Sequence, residues 1–303
     1  LSQLDDKTPT LRELIKEPQM AIGVFDPYSA LLVERAGFKI CYLSGAALSG
    51  SLAMPDLGLL TLTEVVDMVR RIKSVINIPL IVDADTGFGE AINVERAVRE
   101  LEAAGAAAIQ IEDQEMPKKC GHLSEKRVVS PDLMVQKILA AKEARRTKEF
   151  LIIARIDSRE AKGLDDAIYR AQLYKEAGAD IIFPEALESP EEFAKFRKAV
   201  KGPLLANMTE FGKTPYIPFR TFVELGYQLV LYPVTLFRLA SRAMQEGLKV
   251  LKEQGTQITL LPMMTSRDEF YGLIDYWRYE ESDKALAERA EKLVHDFSLG
   301  RSG

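Results

Sequence analysis

The sequence predicts an α/β fold: a closed (β/α)8 barrel with extra C-terminal helices. Three observations predict it. Eight short apolar runs recur along the chain, each followed by a helical stretch. The runs are continuous rather than alternating, so the strands are buried on both faces. A glycine ends the helix ahead of strands two, four, six and eight, at Ala36-Gly37, Ala104-Gly105, Ala177-Gly178 and Leu225-Gly226. Glycine there supplies the left-handed turn that returns the chain to the sheet. An open doubly wound sheet is the alternative, but no Gly-x-Gly-x-x-Gly follows the first strand.

A short amphipathic helix over residues 11–17 precedes strand one, at 20–25. Asp26-Pro27 then reads as a helix start, with aspartate at the cap and proline at the first helical position. Strand two, at 38–43, runs out into Ser44-Gly45-Ala46, and a loop carrying Met54-Pro55-Asp56 leads to a helix opening near Thr63. Strand three, at 80–82, ends in Asp83-Ala84-Asp85-Thr86-Gly87, and Asn93 is expected to cap the next helix. Strand four, at 107–111, ends in Glu112-Asp113 and is followed by about seventeen residues before a helix opens at Ser130-Pro131, where 2–6 is usual. Strands five to eight, at 150–154, 180–183, 203–206 and 228–231, exit into Arg155, Glu185, Asn207-Met208-Thr209 and Tyr232-Pro233. Helices follow over 131–146, from 164, 190 and 218, and over 235–254, and two more near 267–279 and 282–297 close the chain. The whole of 1–303 reads as one barrel domain with a helical extension over about 265–303 that contacts a partner subunit.

The chain has 303 residues, 47% hydrophobic and 28% charged, enough for a large core. A net charge of −5 argues against nucleic-acid and membrane-surface partners, which want a basic face. No apolar run is long enough to span a bilayer. Two cysteines, Cys41 and Cys120, make no disulfide framework, and Cys41 reads as a buried apolar residue. A reducing compartment is expected: the cytoplasm, or an organelle matrix after removal of a transit peptide.

Chemistry in such a barrel gathers at the C-terminal ends of the strands. Asp83 and Asp85 are two apart on an extended segment and point the same way. With Glu112 and Asp56 they form an all-oxygen environment suited to Mg²⁺ or Mn²⁺ completed by water. Zinc is disfavoured, because His122 is the only histidine in reach. Arg155 and Arg238 offer planar forks for carboxylates, with Arg267 as a cap from outside. Ser44, Gly45 and Ala46 could present N–H groups and a hydroxyl to another carboxylate, between apolar walls of Tyr42, Phe183 and Pro233. The long connection after strand four carries Lys118-Lys119-Cys120-Gly121-His122. A thiol crowded by cations has a lowered pKa and suits proton transfer. A metal, carboxylate clamps and a thiol on a lid fit a small di- or tricarboxylate undergoing aldol-type C–C cleavage.

With these residues in view, the sequence resembles the isocitrate lyase/phosphoenolpyruvate mutase superfamily, and within it the methylisocitrate lyases, over about residues 21–279. The most specific mark is Lys118-Lys119-Cys120-Gly121-His122, the catalytic loop of the lyase branch. Tyr42-Leu43-Ser44-Gly45, Asp83-Ala84-Asp85-Thr86-Gly87, Phe183-Pro184-Glu185, Asn207-Met208-Thr209 and Arg238 match as well. The resemblance implies a Mg²⁺-dependent cleavage of 2-methylisocitrate to pyruvate and succinate, in a homotetramer built from helix-swapped dimers. It implies that Asp83 and Asp85 bind the metal, with Asp56 and Glu112 reached through water. Ser44, Gly45 and Ala46 would hold the pyruvate carboxylate, and Arg155 the hydroxy-acid end. Glu185, Asn207, Met208, Thr209, Arg238, Arg267, Gly121 and His122 would surround the succinate half. Cys120 would be the general acid, supported by Lys118, His122 and Glu112, and Tyr42 the base. Ala46 departs from a glycine frequent in the family. Related members include 2,3-dimethylmalate lyases, which share the thiol loop, and oxaloacetate hydrolases, which typically carry serine where this chain has Pro233. A barrel that binds ligand without catalysis is the non-enzymatic alternative.

Overall fold

The computed structural model describes residues 8–119, 121–122 and 126–300. Residues divide into two compact units, Leu1–Arg242 and Ala243–Gly303. In the first, eight parallel strands form the barrel: β1 (Gln19–Val24), β2 (Ile40–Leu43), β3 (Leu80–Asp83), β4 (Ala108–Glu112), β5 (Leu151–Ile156), β6 (Ile181–Pro184), β7 (Leu205–Asn207) and β8 (Leu229–Tyr232). β1 to β6 pair in sequence order, β7 pairs with β8, and β8 pairs with β1, Ala21 beside Leu231. At the last seam, Ile182 N–H donates to the Pro203 carbonyl at 3.1 Å, which brings β6 to the entry of β7.

The surrounding helices are α1 (Leu11–Leu14), α2 (Pro27–Arg35), α3 (Gly45–Ser51), α4 (Leu62–Lys73), α5 (Ala91–Ala103), α6 (Pro131–Ala144), α7 (Ser158–Lys162), α8 (Leu164–Ala177), α9 (Pro190–Ala199) and α10 (Phe219–Leu225). Asp26 caps α2 and accepts from Ser29 N–H at 2.6 Å, with Pro27 at the first helical position as expected. Two expected starts shift. α4 is capped by Thr61 in a box with Glu64. α5 is capped at Glu90, and Asn93 accepts the Glu90 N–H at 3.0 Å from the third helical position. Asparagine can serve either half of such a reciprocal pair, so its sequence position did not fix the register. α3 and α7 were not anticipated; each is too short to show a helical period.

Two apolar layers meet at the strands. The outer one packs Val82, Ile109, Ile152 and Ile182 against helix residues such as Val69, Leu101, Ile138 and Tyr174. The inner one contains Ile40, Ile81, Leu151, Ile181, Leu205 and Leu229, together with Leu11 and Ile15 from the N-terminal helix and its cap. Thr10 and Glu13 form a capping box that starts α1, which presents Leu11 to this layer. Burying such a leucine contributes about 1.5–3 kcal/mol. Because strand side chains alternate, every second residue continues upward inside the barrel. Leu151 and Ile153 give way to Arg155; Ile181 and Phe183 to Glu185; Ala108 to Gln110 and Glu112. The barrel therefore passes from hydrocarbon to ionic groups along its axis.

The second unit includes the end of α11 (Thr235–Gln254), a 3-10 turn at Ile258–Met263, α12 (Arg267–Leu273) and α13 (Tyr276–Gly300). Within it, Tyr271 stacks on Tyr276 at 4.3 Å between ring centroids. Leu248, Leu286, Leu293, Val294 and Phe297 are exposed on the single chain. Among the described residues no helix is long and apolar enough to cross a membrane.

Gly23 is where β1 passes closest to the strand-eight exit: a Cβ there would lie 1.9 Å from the Pro233 carbonyl oxygen. Backbone cannot yield as a side chain can, so Gly23→Ala is expected to destabilise the fold by about 3 kcal/mol, read from the urea midpoint. An unchanged midpoint would show that the two segments are not in contact.

Candidate active site

The strand exits meet at the top of the barrel around a cavity of about 90 Å³. Tyr42, Ser44, Ala46, Asp56, Asp83, Gly121, His122 and Arg155 line it on one part of its wall. Phe183, Glu185, Asn207, Thr209, Leu231, Pro233, Val234 and Arg238 complete it.

The acid pair converges. Gly45 opens α3, and a point one Cβ bond above it lies 2.9 Å from Asp83 Oδ2 and 3.6 Å from Asp85 Oδ1. A side chain at this position would fill the space both carboxylates look into. Asp85 reaches it from a left-handed backbone, with φ of 48°. Asp83 also accepts the Gly45 N–H, at 3.2 Å, so that donor is turned to the acid. Ser44 accepts from Ala47 N–H at 3.2 Å as the cap of α3. Burial and the neighbouring Asp85 push Asp83 up to about 6.

Lys118 is turned into this cluster. Its ammonium contacts Asp56 and lies 2.7 Å from Asp85 Oδ1. Burial works against the charge, but Glu112, Asp85 and Asp83 hold Lys118 above the usual lysine range. Arg155 is enclosed by three carboxylates: Glu112 at 3.0 Å, Asp157 at 2.9 Å and Glu185 at 3.4 Å. It also lies over the Phe183 ring, 5.5 Å from the centroid. Burial raises Glu112 well above its ordinary range despite the guanidinium. Glu185 is the opposite case: burial would raise it, yet Arg155 and His122 hold it down at about 2.

The flanks of Cys120 are both tied to the barrel. Before it, Gln114 accepts the Lys119 N–H at 3.0 Å and donates to the Lys119 carbonyl at 2.8 Å. Gln114 also donates to Glu112 at 3.0 Å. After it, Gly121 packs so closely that a Cβ would lie 2.4 Å from Arg155 Nη2 and 2.6 Å from the Glu185 carboxyl carbon. His122 Nδ1 accepts from Lys213 N–H at 3.0 Å, which leaves the ring proton on Nε2, 2.7 Å from Glu185 Oε1. Cys120 itself lies outside the described residues.

On the far side, Asn207 donates to both Glu185 oxygens at 3.2 and 3.3 Å, and its own Oδ1 is buried without a hydrogen-bond partner among the described residues. Met208 sits behind the cavity, where its sulfur accepts from Ile217 N–H. Arg238 is half exposed, 3.7 Å from Glu210 and 5.2 Å from the Phe211 ring centroid. Arg267 opens α12, in the second unit. Tyr42 is a phenol donating to Gln110 Oε1 at 2.5 Å, and burial and Asp83 keep its ionisation well above the usual range.

A divalent cation is tested here by the donors present. Among the described residues no three His, Cys, Asp or Glu side chains close a metal shell. Two converging aspartates with carboxylates behind them suit Mg²⁺, which binds through one or two carboxylates and keeps several waters. Burial first and the neighbouring Asp85 second raise Asp83, so an added cation would favour its charged form. The residues fit the ion.

Several residues of the site were not anticipated. Asp157 follows Arg155 at the strand-face spacing of two, a signal that was there to use. Gln114, Lys126 and Glu210 gave none, since each acts through a fold contact. Asp113 anchors the base of the long connection: it accepts from Arg170 at 3.0 Å, Tyr174 at 2.8 Å and the Asp157 N–H at 2.8 Å.

Comparison with known proteins agrees with this geometry. The family model described as phosphoenolpyruvate phosphomutase matches residues 11–252. A 2-methylisocitrate lyase of Aeropyrum pernix is 57% identical over 97% of this chain and 95% of its own length. A 2,3-dimethylmalate lyase of Eubacterium barkeri is 40% identical over 96% and 98%. Among solved structures, a phosphonopyruvate hydrolase in complex with oxalate and Mg²⁺ superposes with a TM-score of 0.83 at 32% identity, covering 90% of this chain and 96% of that one.

Arg170 and Asp113 are both fully buried. Removing the cation strands a buried carboxylate, so Arg170→Met is expected to cost about 3–5 kcal/mol of stability in denaturant titration. A loss under about 1 kcal/mol would mean that Tyr174 and the Asp157 N–H suffice.

Proposed function

The chain belongs to the phosphoenolpyruvate phosphomutase family, in the isocitrate lyase/phosphoenolpyruvate mutase superfamily, and is a carbon–carbon lyase; from that premise we propose that it cleaves 2-methylisocitrate to pyruvate and succinate with Mg²⁺. The observation that carries this reading is the loop after β4: the residues on both sides of Cys120 are fastened to Glu112, Arg155 and Glu185 above the converging Asp83 and Asp85. The 57% identity to a 2-methylisocitrate lyase supports the substrate.

Asp83 and Asp85 would hold Mg²⁺, with Asp56 and Glu112 reached through water; Mn²⁺ would substitute. The ion would supply positive charge to a 2-hydroxy acid and to the enolate character that develops on cleavage. The first turn of α3, with Ser44, Gly45 and Ala46, receives the pyruvate carboxylate. Arg155 would orient the hydroxy-acid end, its charge shared with Glu112, Asp157 and Glu185. Asn207 Oδ1, Thr209, His122, Gly121 and Arg238 would surround the succinate half, with Phe183 and Pro233 as apolar wall.

The reaction is a retro-aldol, Claisen-type cleavage. The substrate hydroxyl loses its proton to a base and becomes the keto group of pyruvate. The bond to the neighbouring carbon breaks, and its electron pair stays on the carbon that becomes a methylene of succinate. Cys120 gives that carbon its proton. Lys118, a buried ammonium beside Asp56 and Asp85, would contribute positive charge near the carbanion. Tyr42, as a phenol donating to Gln110, holds the wall beside the hydroxyl.

A second reading has one observation in its favour. The 2,3-dimethylmalate lyase of Eubacterium barkeri is 40% identical over nearly the whole chain. The two substrates share the hydroxy-acid end and differ in the groups facing Phe183 and Pro233. The working form is a homotetramer of helix-swapped dimers, which would cover the exposed Leu286, Leu293, Val294 and Phe297 of α13. A reducing cytoplasm suits a mechanism that needs a free thiol.

The test is one substrate panel: 2-methylisocitrate, isocitrate, 2,3-dimethylmalate, oxaloacetate and phosphonopyruvate, each with Mg²⁺ and with EDTA, and repeated with Cys120→Ser. Methylisocitrate is expected to turn over fastest, EDTA to abolish turnover, and Cys120→Ser to reduce kcat by about 10²–10⁴-fold, the usual worth of a general acid. Undiminished turnover in EDTA, or in Cys120→Ser, would contradict the metal or the thiol respectively.

A further inference from the structure

Lys126 is a fully buried cation that none of the substrate-facing chemistry uses. It enters where the long connection returns toward α6, and its side chain has no exposed surface. Its ammonium donates to the Gly121 carbonyl at 2.6 Å and to Asp157 Oδ1 at 2.8 Å. The same Asp157 oxygen accepts from Arg155 at 2.9 Å. Asp157 is fixed in turn, because its N–H donates to Asp113 at 2.8 Å. A chain of contacts thus runs from the Asp113 anchor through Asp157 and Lys126 to the backbone just after Cys120.

Burying an ammonium costs several kcal/mol before its contacts repay it. The Asp157 oxygen already has one cation in Arg155, which Glu112 and Glu185 also share. What Lys126 adds is the Gly121 carbonyl. Gly121 has no slack: a Cβ there would meet Arg155 at 2.4 Å and Glu185 at 2.6 Å. Losing its carbonyl anchor would let this backbone lift from the guanidinium and take His122 away from Glu185. The preceding flank has an anchor of its own in the two Gln114–Lys119 hydrogen bonds, so the two sides of the thiol are held independently.

We propose that Lys126 is a positioning residue for the cleavage reaction. It shares Asp157 with Arg155, and so ties the backbone after the thiol to the same carboxylate that orients the hydroxy-acid clamp. Lys126 touches no reacting atom. The proposal rests on the reading of Cys120 as the general acid, and its test includes a measurement that needs no substrate.

Cys41 is fully buried and its thiol is pushed up to about 12 by burial and Glu34. Alkylation by iodoacetamide at neutral pH therefore reads Cys120 alone. In Lys126→Met, which keeps an unbranched apolar stem without the charge, the alkylation rate is expected to rise by at least about tenfold, the worth of one charged hydrogen bond. Over the same substitution kcat falls by a similar factor, while Mn²⁺ affinity stays within about twofold of wild type. Asp157→Asn, isosteric with the native residue, gives a smaller rise of the same sign. Unchanged alkylation in a folded Lys126→Met protein overturns the proposal. So does failure of both variants to fold, which would make the pair a structural cross-link. If methylisocitrate is not the substrate, the alkylation rates still decide the role of Lys126.

Discussion

Carboxylates outnumber cations at the mouth of this barrel, and the rest of the site answers to that imbalance. Among the described residues, Asp56, Asp83, Asp85, Glu112, Asp157 and Glu185 meet Lys118, Lys126, Arg155 and the His122 imidazole. Buried charges of one sign cannot all remain ionised without partners. Where a guanidinium is close, as at Glu185, the acid is held down at about 2; where burial and a neighbouring acid act together, as at Asp83, it rises to about 6. The uncompensated part lies on the Asp83 side, over Gly45. A divalent cation is the economical way to neutralise it, and the same ion then serves the reaction.

The fold makes this concentration of charge tolerable. The inner face of the barrel is hydrocarbon from Leu11 and Ile15 at one end through Ile81, Ile153 and Leu205. Only its last turn upward is ionic, so the desolvation cost falls on one layer beneath the connection after β4. That connection acts as a further source of positive charge and hydrogen bonds. It delivers Lys118 to the acid pair, Gly121 to Arg155, and His122 to Glu185. Its two flanks are fastened by different chemistries, an amide before the thiol and an ammonium after it.

Much of this was legible in the sequence, because strand exits are fixed by strand count and alternation. Asp83, Glu112, Arg155, Glu185 and Asn207 fall at the barrel mouth for that reason alone. Two kinds of information were not. Short helices such as α3 lack a period, so the run at Ser44 looked like a loop and its Gly45 N–H like a free donor, whereas it is given to Asp83. Partner identity was hidden too: Arg155 reads as an open clamp until three carboxylates are seen around it, and the hydrogen bond from Tyr42 to Gln110 is not encoded in any local spacing. Lys126 matters through its contact with Asp157, a residue distant in sequence, which no local spacing encodes.

The account stands on the claim that the Asp83–Asp85 side of the mouth is built to accept a divalent cation. Equilibrium titration with Mn²⁺, followed by the paramagnetic signal of the free ion, tests it most directly. One ion per chain is expected, bound equally well by wild type and Cys120→Ser and lost in Asp83→Asn. Binding that survives Asp83→Asn unchanged, or no binding to the wild type, would contradict it.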